Sequence, residues 1–397
     1  MMVPTIFYFL TLLYLFTFTF ASFEEATALL KWKATFRNEN DFLLASWRLS
    51  RRGAAKNSSS HDACRDWYGV KCLNGRINRL NITNVGYGSF LSPRMTQKLR
   101  VHSLEDLLGA FWSPAILKPL CLRGQEWKER FAKESCGAVK EIASIGKLIN
   151  LVEVDLNTNQ LEGHIPPEIG NLINAKLFSV FSNELSGFIP IEIGKMTSLE
   201  SLRLHKNNLS GLIPKALGDL TKLKILYLND NQISGSIPAE IGKLLNLVEV
   251  DRSTNWLTGH IPMEIGNLVN ATLFYAYSNE LSGLVPAEIG KMKLLESLSL
   301  QRNNLSGPLP KALGDLTKLT LLYLYDNQLS GPIPTELGNL KKIIDMDLSH
   351  NQLSSSIPAS FSNLRNLKTL FLFVNKLSGS IPAEIGKMEV TYGLNLI

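Results

Sequence analysis

The sequence is short of charge and of cysteine. Charged residues make up 19% of its 397 residues and hydrophobic residues 45%, a balance that excludes an intrinsically disordered chain. Only 4 cysteines are present, too few for a small domain built around disulfides. The length suits several ordinary domains or one long repeat array.

Motifs for catalysis and nucleic-acid binding are missing as well. The chain contains no H-E-x-x-H, G-x-S-x-G, G-x-x-x-x-G-K-[ST], H-R-D or D-F-G pattern. The 6 histidines are scattered, and His164 and His260 occupy the same position of a duplicated block, which favours repeat decoration over metal ligation. The formal net charge is +6, but no basic run with interleaved aromatic residues indicates a nucleic-acid site. We therefore predict a protein that is not an enzyme, has no cofactor or metal and binds no nucleic acid.

The N-terminus is predicted to be a secretory signal peptide. Residues 1–21 carry no charged side chain, and Ile6 to Phe20 form an apolar run of signal-peptide length. Thr19 and Ala21 supply the small residues of a cleavage site after Ala21. An uncleaved anchor is the alternative, because the apolar run nearly reaches the length that spans a bilayer. No later apolar run approaches the length of a membrane span.

The rest of the chain is dominated by a repeat of 24 residues. Its pattern is L-x-x-L-x-L-x-x-N-x-L-x-G-x-I-P-x-x-L/I-G-x-L, and residues 151–246 and 247–342 are near copies of each other, 96 residues apart. Self-similarity on such a period predicts a solenoid in which each repeat adds one layer. The repeated asparagines, predicted to form a structural ladder, are Asn159, Asn183, Asn207, Asn231, Asn255, Asn279, Asn303, Asn327, Asn351 and Asn375.

One repeat shows why the pattern suits a solenoid. Leu322 and Leu324 alternate as in a strand with one buried face, and stacked copies of such a strand form a parallel sheet. Asn327 follows the strand, where its amide can satisfy the backbone groups of a turn. Gly331 permits a backbone that a Cβ would block, and Pro334 favours extended geometry. We predict an α/β solenoid, a horseshoe or superhelix with its parallel sheet on the concave face.

The L-x-G-x-I-P motif resembles the plant extracellular subclass of leucine-rich repeats, in particular the ectodomains of leucine-rich repeat receptor-like kinases. Residues 145–397 carry this resemblance. The pieces ALLKWKATF (28–36), CRDWYGVKC (64–72) and NGRINRLNIT (74–83) resemble the family's N-terminal cap. The resemblance implies a helical cap over the open end of the solenoid and a Cys64–Cys72 disulfide. Two unpaired buried cysteines are the alternative.

These patterns divide the sequence into five predicted segments. We expect the chain to lack the family's closing cap, membrane helix and kinase domain. The segment that contains Cys121 and Cys136 carries no ladder asparagine and is expected to be a divergent insertion or a mis-spliced product. The segments are the signal peptide (1–21), the cap (22–84), the divergent segment (85–144), ten repeats (145–390) and the start of an eleventh repeat (391–397).

A binding surface is predicted where side chains of the repeated strands alternate with the buried leucines and face outwards. In the C-terminal half many of these residues are aromatic, and exposed aromatic side chains are typical anchors for a partner. The alternative is that the duplication copied rings that pack on their neighbours. The outward positions are Asp155, Ser179, Arg203, Tyr227, Asp251, Tyr275, Ser299, Tyr323, Asp347 and Phe371, and the further aromatic residues are Tyr277, Tyr325 and Phe373.

Two further features bear on the expected environment and stability. Five N-x-S/T sequons predict N-glycosylation at Asn57, Asn81, Asn208, Asn270 and Asn304. Arg252 occupies the core position that Leu156 holds in the duplicate copy, so it is predicted to weaken the array locally.

The function predicted from the sequence is ligand recognition outside the cell. The resemblance implies a secreted protein, or one on the outer face of the plasma membrane, that binds a peptide or protein and also a co-receptor ectodomain. Without a kinase of its own, the chain is not expected to signal. The alternatives are a secreted inhibitor of cell-wall-degrading enzymes and a non-functional receptor fragment.

Overall fold

The computed structural model describes residues 70–73, 76–81, 145–383 and 393–395. The predicted signal peptide, the cap helix and the segment 85–144 lie outside the described residues. The chain divides into two compact units, unit 1 up to Ser186 and unit 2 from Gly187. Each repeat within them contains an A strand, which carries the L-x-L alternation, and most contain a B strand just after the ladder asparagine.

Unit 1 contains the first strands of both series. In the A series the order is β1–β2–β3–β5, with β1 antiparallel to β2 and the other pairs parallel. In the B series β4 pairs with β6 in parallel. The strands are β1 (Val70–Leu73), β2 (Arg76–Asn81), β3 (Glu153–Asp155), β4 (Glu162–His164), β5 (Leu177–Ser179) and β6 (Glu184–Phe188), which ends in unit 2.

Within unit 2, the odd-numbered strands pair as A strands and the even-numbered strands pair as B strands. All the pairs are parallel, as in Val250 opposite Phe274. The strands are β7 (Ser201–Arg203), β8 (Asn208–Leu212), β9 (Ile225–Tyr227), β10 (Gln232–Gly235), β11 (Glu249–Asp251), β12 (Trp256–His260), β13 (Leu273–Tyr275), β14 (Glu280–Gly283), β15 (Ser297–Ser299), β16 (Asn304–Pro308), β17 (Leu321–Tyr323), β18 (Gln328–Pro332), β19 (Asp345–Asp347), β20 (Gln352–Ser355), β21 (Thr369–Phe371), β22 (Lys376–Leu377) and β23 (Gly393–Asn395).

The helical segments that follow the repeated prolines are short 3-10 helices. Pro334 has extended backbone angles (φ −63°, ψ 133°), and its carbonyl accepts the N–H of Leu337 at 3.1 Å. The helices are η1 (Pro167–Asn171) in unit 1, and η2 (Ile191–Lys195), η3 (Lys215–Asp219), η4 (Ala239–Lys243), η5 (Met263–Asn267), η6 (Ala287–Lys291), η7 (Lys311–Asp315), η8 (Thr335–Asn339) and η9 (Ala359–Asn363) in unit 2.

The core of each unit consists of the repeated aliphatic residues. Burying one such side chain contributes about 2 kcal/mol, so stacked repeats stabilise one another although a single repeat could not fold alone. The predicted solenoid with a parallel sheet is confirmed. In one repeat of unit 2 the residues at most 3% exposed are Leu319, Leu322, Leu324, Leu329, Ile333, Leu337 and Leu340.

The ladder asparagines lie in the turn between the A and B strands. The Asn327 side-chain amide donates to the carbonyls of Leu324 (3.1 Å) and Tyr325 (3.2 Å) in its own turn, and to that of Leu300 (3.1 Å) one repeat earlier. Its Oδ1 accepts the N–H of Leu305 at 3.0 Å. The Asn327 amide therefore joins its own turn to the turn before it.

The residue before each ladder asparagine has a left-handed backbone, which the sequence analysis did not anticipate. These positions have φ between 50° and 56°, a region that most side chains avoid. No common residue type marks the position, so composition gives no signal for it. The residues are Thr158, Ser182, Lys206, Asp230, Thr254, Ser278, Arg302, Asp326, His350 and Val374.

Candidate ligand-binding face

The side chains that alternate with the buried leucines of the A strands in unit 2 form a surface that we call the outer face. Short strands hold these side chains in rows, one row per repeat, because neighbouring A strands pair without a shift in register. Asp251, for example, lies opposite Tyr227 on one side and Tyr275 on the other. Rows in such a sheet are about 4.8 Å apart.

Aromatic side chains on the outer face contact one another within a row. The ring centroids of Tyr275 and Tyr277 are 6.2 Å apart, and those of Tyr323 and Tyr325 are 6.1 Å apart. Phe371 and Phe373 form a third pair at 5.9 Å, and the seven predicted aromatic residues are half-buried. Rings that are already ordered against each other lose little freedom when a partner covers them.

The tyrosine hydroxyls on this face are held by the next row. Tyr323 donates to Asp345 Oδ2 at 2.5 Å, and Tyr227 donates to Glu249 in the equivalent position of the duplicate copy. Burial and then the hydrogen bond to Glu249 raise the pKa of Tyr227. The Tyr275 hydroxyl is 2.8 Å from Ser297 Oγ. These bonds fix the rings and leave their exposed parts facing outwards.

The acidic side chains of the face lie between the aromatic rows. Asp251 Oδ1 accepts the N–H of Ser253 at 2.9 Å, and Asp347 Oδ1 accepts both the N–H (2.9 Å) and the hydroxyl (2.6 Å) of Ser349. Burial raises the pKa of both aspartates above the usual value. Both carboxylates are therefore less well solvated than at an open surface.

Basic side chains are grouped near the start of unit 2. His205 packs edge-on against Tyr227, with ring centroids 5.6 Å apart. Burial, then the charges of Lys206 and Arg203, lower the pKa of His205 to about 4. His205 is thus a neutral part of the aromatic surface at neutral pH, and Arg203 is half-buried beside it.

Two residues that the strand alternation predicted to face solvent are buried, so the prediction of their exposure is wrong. Ser299 is 4% exposed and Ser179 is 1% exposed. Ser299 lies directly between Tyr275 and Tyr323 on the adjacent strands. A short side chain between two large rings is covered by them, an effect that strand alternation alone does not reveal.

Arg252 directly follows β11, and its side chain lies in the core rather than on the outer face. It is 0% exposed, its guanidinium lies 4.8 Å from the centroid of Phe274, and its three side-chain nitrogens have no hydrogen-bond partner among the described residues. Burial lowers its pKa to about 10. A buried unpaired charge of this kind costs free energy.

The residues predicted to carry glycans or to form the disulfide lie only partly within the described part of the chain. Asn81, Asn208, Asn270 and Asn304 are exposed, whereas Asn57, Cys64 and the side chain of Cys72 lie outside the described residues. Within the described part of the chain, no group of three or more histidine, cysteine, aspartate or glutamate side chains could hold a metal ion. None of the described helices is long and apolar enough to cross a membrane.

Family comparisons agree with the repeat pattern. Residues 24–73 match the leucine rich repeat N-terminal domain. Matches to leucine rich repeat families cover 150–172, 182–233, 197–251, 294–316, 318–340, 342–364 and 366–388.

Individual plant proteins are similar to parts of this chain. MDIS1-interacting receptor like kinase 2 of Arabidopsis thaliana is 46% identical over 67 residues, which are 17% of this chain and 6% of that protein. The crystal structure of PEPR1–AtPEP1 is similar over 92% of this chain and 50% of that chain, with 27% identity and a TM-score of 0.60. This chain thus spans half the length of the PEPR1–AtPEP1 chain it matches and a small part of MDIS1-interacting receptor like kinase 2.

A plant ice-binding protein shares the fold alone, with 24% identity and a TM-score of 0.59 over 91% of this chain and 97% of that chain. The chain belongs to the leucine-rich repeat proteins, and it is similar to plant proteins of that family that are named as receptors.

Proposed function

We propose that this chain is an extracellular ligand-recognition module of a receptor-like protein, and that it binds a peptide or protein on the outer face of unit 2. The observation that carries the proposal is the repetition of ordered aromatic pairs, Tyr275/Tyr277, Tyr323/Tyr325 and Phe371/Phe373, on one sheet face. Large aromatic side chains at the centre of an interface supply much of its binding energy. The relatives are named as receptor kinases, and the structure of PEPR1 was determined with AtPEP1.

The partner we propose is a peptide or the ectodomain of another protein, and a co-receptor ectodomain is a further candidate. A sheet face with rings in every second row suits an extended segment that crosses several repeats. Arg203, Asp251 and Asp347 add charged groups that would set specificity and association rate more than affinity.

The test is an interaction screen of the secreted full chain against plant peptides and receptor ectodomains. The variant carries Tyr323→Ala and Tyr325→Ala, and we expect it to fold normally because both rings lie outside the leucine core. Its affinity for the partner should fall by about 2 kcal/mol or more, roughly thirtyfold.

A matched control keeps the outer face intact. Leu245→Ala with Met263→Ala removes two exposed apolar side chains, 53% and 60% exposed, near the 3-10 helices, and should leave affinity unchanged. If the control variant loses binding while the tyrosine variant keeps it, the partner binds elsewhere. If the tyrosine variant unfolds, the rings serve packing and the proposal fails.

A further inference from the structure

The duplicated block places the same arrangement twice on the outer face of unit 2. Asp251 on β11 lies directly opposite Tyr227 and Tyr275 on the neighbouring strands. Asp347 on β19, 96 residues later, lies opposite Tyr323 and Phe371. We call these two aspartates, each flanked by aromatic residues on both sides, the docking points.

Neither docking point forms an ion pair with the described residues, and the cationic groups that act on them through charge alone are Arg252 on Asp251 and His350 on Asp347. Among the described residues, no lysine, arginine or histidine forms an ion pair with Asp251 or Asp347, and their recorded partners are Ser253 and Ser349. Glu249 and Asp345, two positions earlier on the same strands, bond only to tyrosine hydroxyls. The whole chain has a formal net charge of +6, so these carboxylates do not reflect a generally acidic protein.

The first copy of the arrangement, in unit 1, shows what such a carboxylate pair accepts. Glu153 and Asp155 on β3 stand where Glu249 and Asp251 stand in the second copy. There Arg79 on the adjacent strand pairs with Glu153 at 2.8 Å, and Asn157 donates to Asp155 at 2.6 Å. In this copy a guanidinium opposite the row bonds the carboxylate at the Glu249 position, and the two later copies carry Ile225 and Leu321 where Arg79 stands.

The chemistry of the docking points favours arginine. A guanidinium can bond a carboxylate while its plane lies against an aromatic ring. Within this chain Arg302 lies 5.9 Å from the ring centroid of Tyr325 and pairs with Asp326 at 3.6 Å. The same combination of ring and carboxylate is present at Asp251 and Asp347, and no ion pair with a described residue occupies either carboxylate.

The geometry also sets the spacing of a ligand. The strand order β11–β13–β15–β17–β19 puts four strand intervals between the docking points, about 19 Å at about 4.8 Å per interval. An extended peptide advances about 3.3 Å per residue, so about six residues span that distance.

We propose that the outer face of unit 2 binds an extended basic peptide segment with two arginine side chains about six residues apart, one at Asp251 and one at Asp347. This inference rests on the proposed function, because it names the chemistry of the ligand for the same face.

The probe is a series of synthetic peptides in a neutral glycine–serine background. One carries a single arginine, and the others carry two arginines separated by three, six or ten residues. Binding to the secreted full chain is measured by fluorescence anisotropy at two salt concentrations. The six-residue spacing should bind roughly tenfold more tightly than the single-arginine peptide, and the tighter binding should weaken at high salt.

The variants Asp251→Asn and Asp347→Asn remove one charge each but keep the oxygen that accepts the serine N–H. Each variant should bind the peptide with the six-residue spacing only as tightly as it binds the single-arginine peptide, and the melting curve of the variant protein should be unchanged. Asp219→Asn, an exposed aspartate on η3, is the matched control and should change nothing. Equal affinity for all spacings, or binding that ignores both variants, overturns the inference.

Different experimental outcomes would contradict the proposed function and the basic-ligand inference. A partner from the interaction screen that depends on Tyr323 and Tyr325 but not on Asp251 or Asp347 preserves the proposed function and overturns the basic-ligand inference. Peptide binding that depends on the aspartates, with no partner in the screen that depends on the tyrosines, supports the inference and contradicts the aromatic anchor.

Discussion

Arg252 occupies a core position at which the equivalent copies carry leucine. Leu156 and Leu348 stand 96 residues before and after it, both 0% exposed. The Arg252 guanidinium is protonated at neutral pH, since burial lowers its pKa only to about 10 and the charge of Asp251 opposes that shift. Its guanidinium lies over the ring of Phe274 and forms no hydrogen bond with the described residues.

We expect Arg252→Leu to raise the free energy of unfolding by about 1–4 kcal/mol, because a well-packed leucine replaces a buried charge. Thermal and denaturant melting measure the change, with Arg365→Leu at an exposed position as the control. A neutral or negative shift would show that Arg252 turns out to solvent or finds a partner.

His205 should make the stability of unit 2 depend on pH. Its folded pKa of about 4 lies below the ordinary value of 6.5, mainly because of burial. Between these values the unfolded chain takes up a proton and the folded chain does not, so stability is lost as the pH falls from 6.5 towards 4. The loss should be on the order of 1 kcal/mol, since the ring is partly exposed and the charges are screened.

Melting temperatures of the wild type and His205→Gln at pH 7 and pH 4.5 test this expectation. The variant should lose less stability than the wild type over that interval. Parallel losses would assign the pH dependence to other groups.

At the scale of the element, the A strands and the ladder turn could be predicted from the sequence because both follow from a fixed period. Leucines at alternating positions require a strand with one buried face, and an asparagine after each strand suits a turn with unpaired backbone groups. The B strands were not predicted. They contain the glycine of the repeat, as in Asn304–Pro308, and glycine and proline ordinarily argue against a strand.

The outer face was predicted only in part. Alternation correctly indicated which side of the strand Tyr323 and Asp347 occupy. It could not show that Tyr323 bonds to Asp345 on the next strand, or that Ser299 is covered by its neighbours. Those facts depend on register between repeats, which a single sequence does not contain.

The turn at Asn327 should be sensitive to loss of its amide. Asn327→Ala leaves the N–H of Leu305 and the carbonyls of Leu300 and Leu324 without this partner, at a cost of about 1–3 kcal/mol. Chemical denaturation should show a lower midpoint than for Lys318→Ala, an exposed residue of the same repeat. Equal midpoints would contradict a structural role for the amide.

The two glycine positions of the repeat, represented by Gly290 and Gly331 in different repeats, should differ in how much stability a substitution by alanine costs. A Cβ on Gly290 in η6 would lie 2.5 Å from the carbonyl oxygen of Ala312, which is backbone and cannot move aside. A Cβ on Gly331 would meet only Pro308 at 3.7 Å, so its cost comes from the left-handed φ of 74°.

We therefore expect Gly290→Ala to destabilise by about 2–3 kcal/mol and Gly331→Ala by about 1 kcal/mol. Thermal melting of the two variants under the same conditions measures the difference. The reverse order would mean that stacked 3-10 helices separate more easily than the backbone accepts strain.

At the scale of the whole molecule, secretion is expected to leave covalent marks. Asn208, Asn270 and Asn304 have exposed side chains within sequons, so protein secreted from plant cells should carry glycans there. A Cys64–Cys72 bond is expected in the same material. Peptide mapping before and after enzymatic deglycosylation measures both. Free thiols together with five bare asparagines would contradict an extracellular protein.

The ladder also has a mechanical consequence. Asn327 bonds to the carbonyl of Leu300 and to the N–H of Leu305. Its turn is therefore linked to the preceding turn by hydrogen bonds that a pulling force must break. A force applied along the chain would break such links one after another. Each rupture would release one repeat of 24 residues, about 80 Å of extended chain. Such an array yields in small equal steps and spreads a sudden pull over many of them.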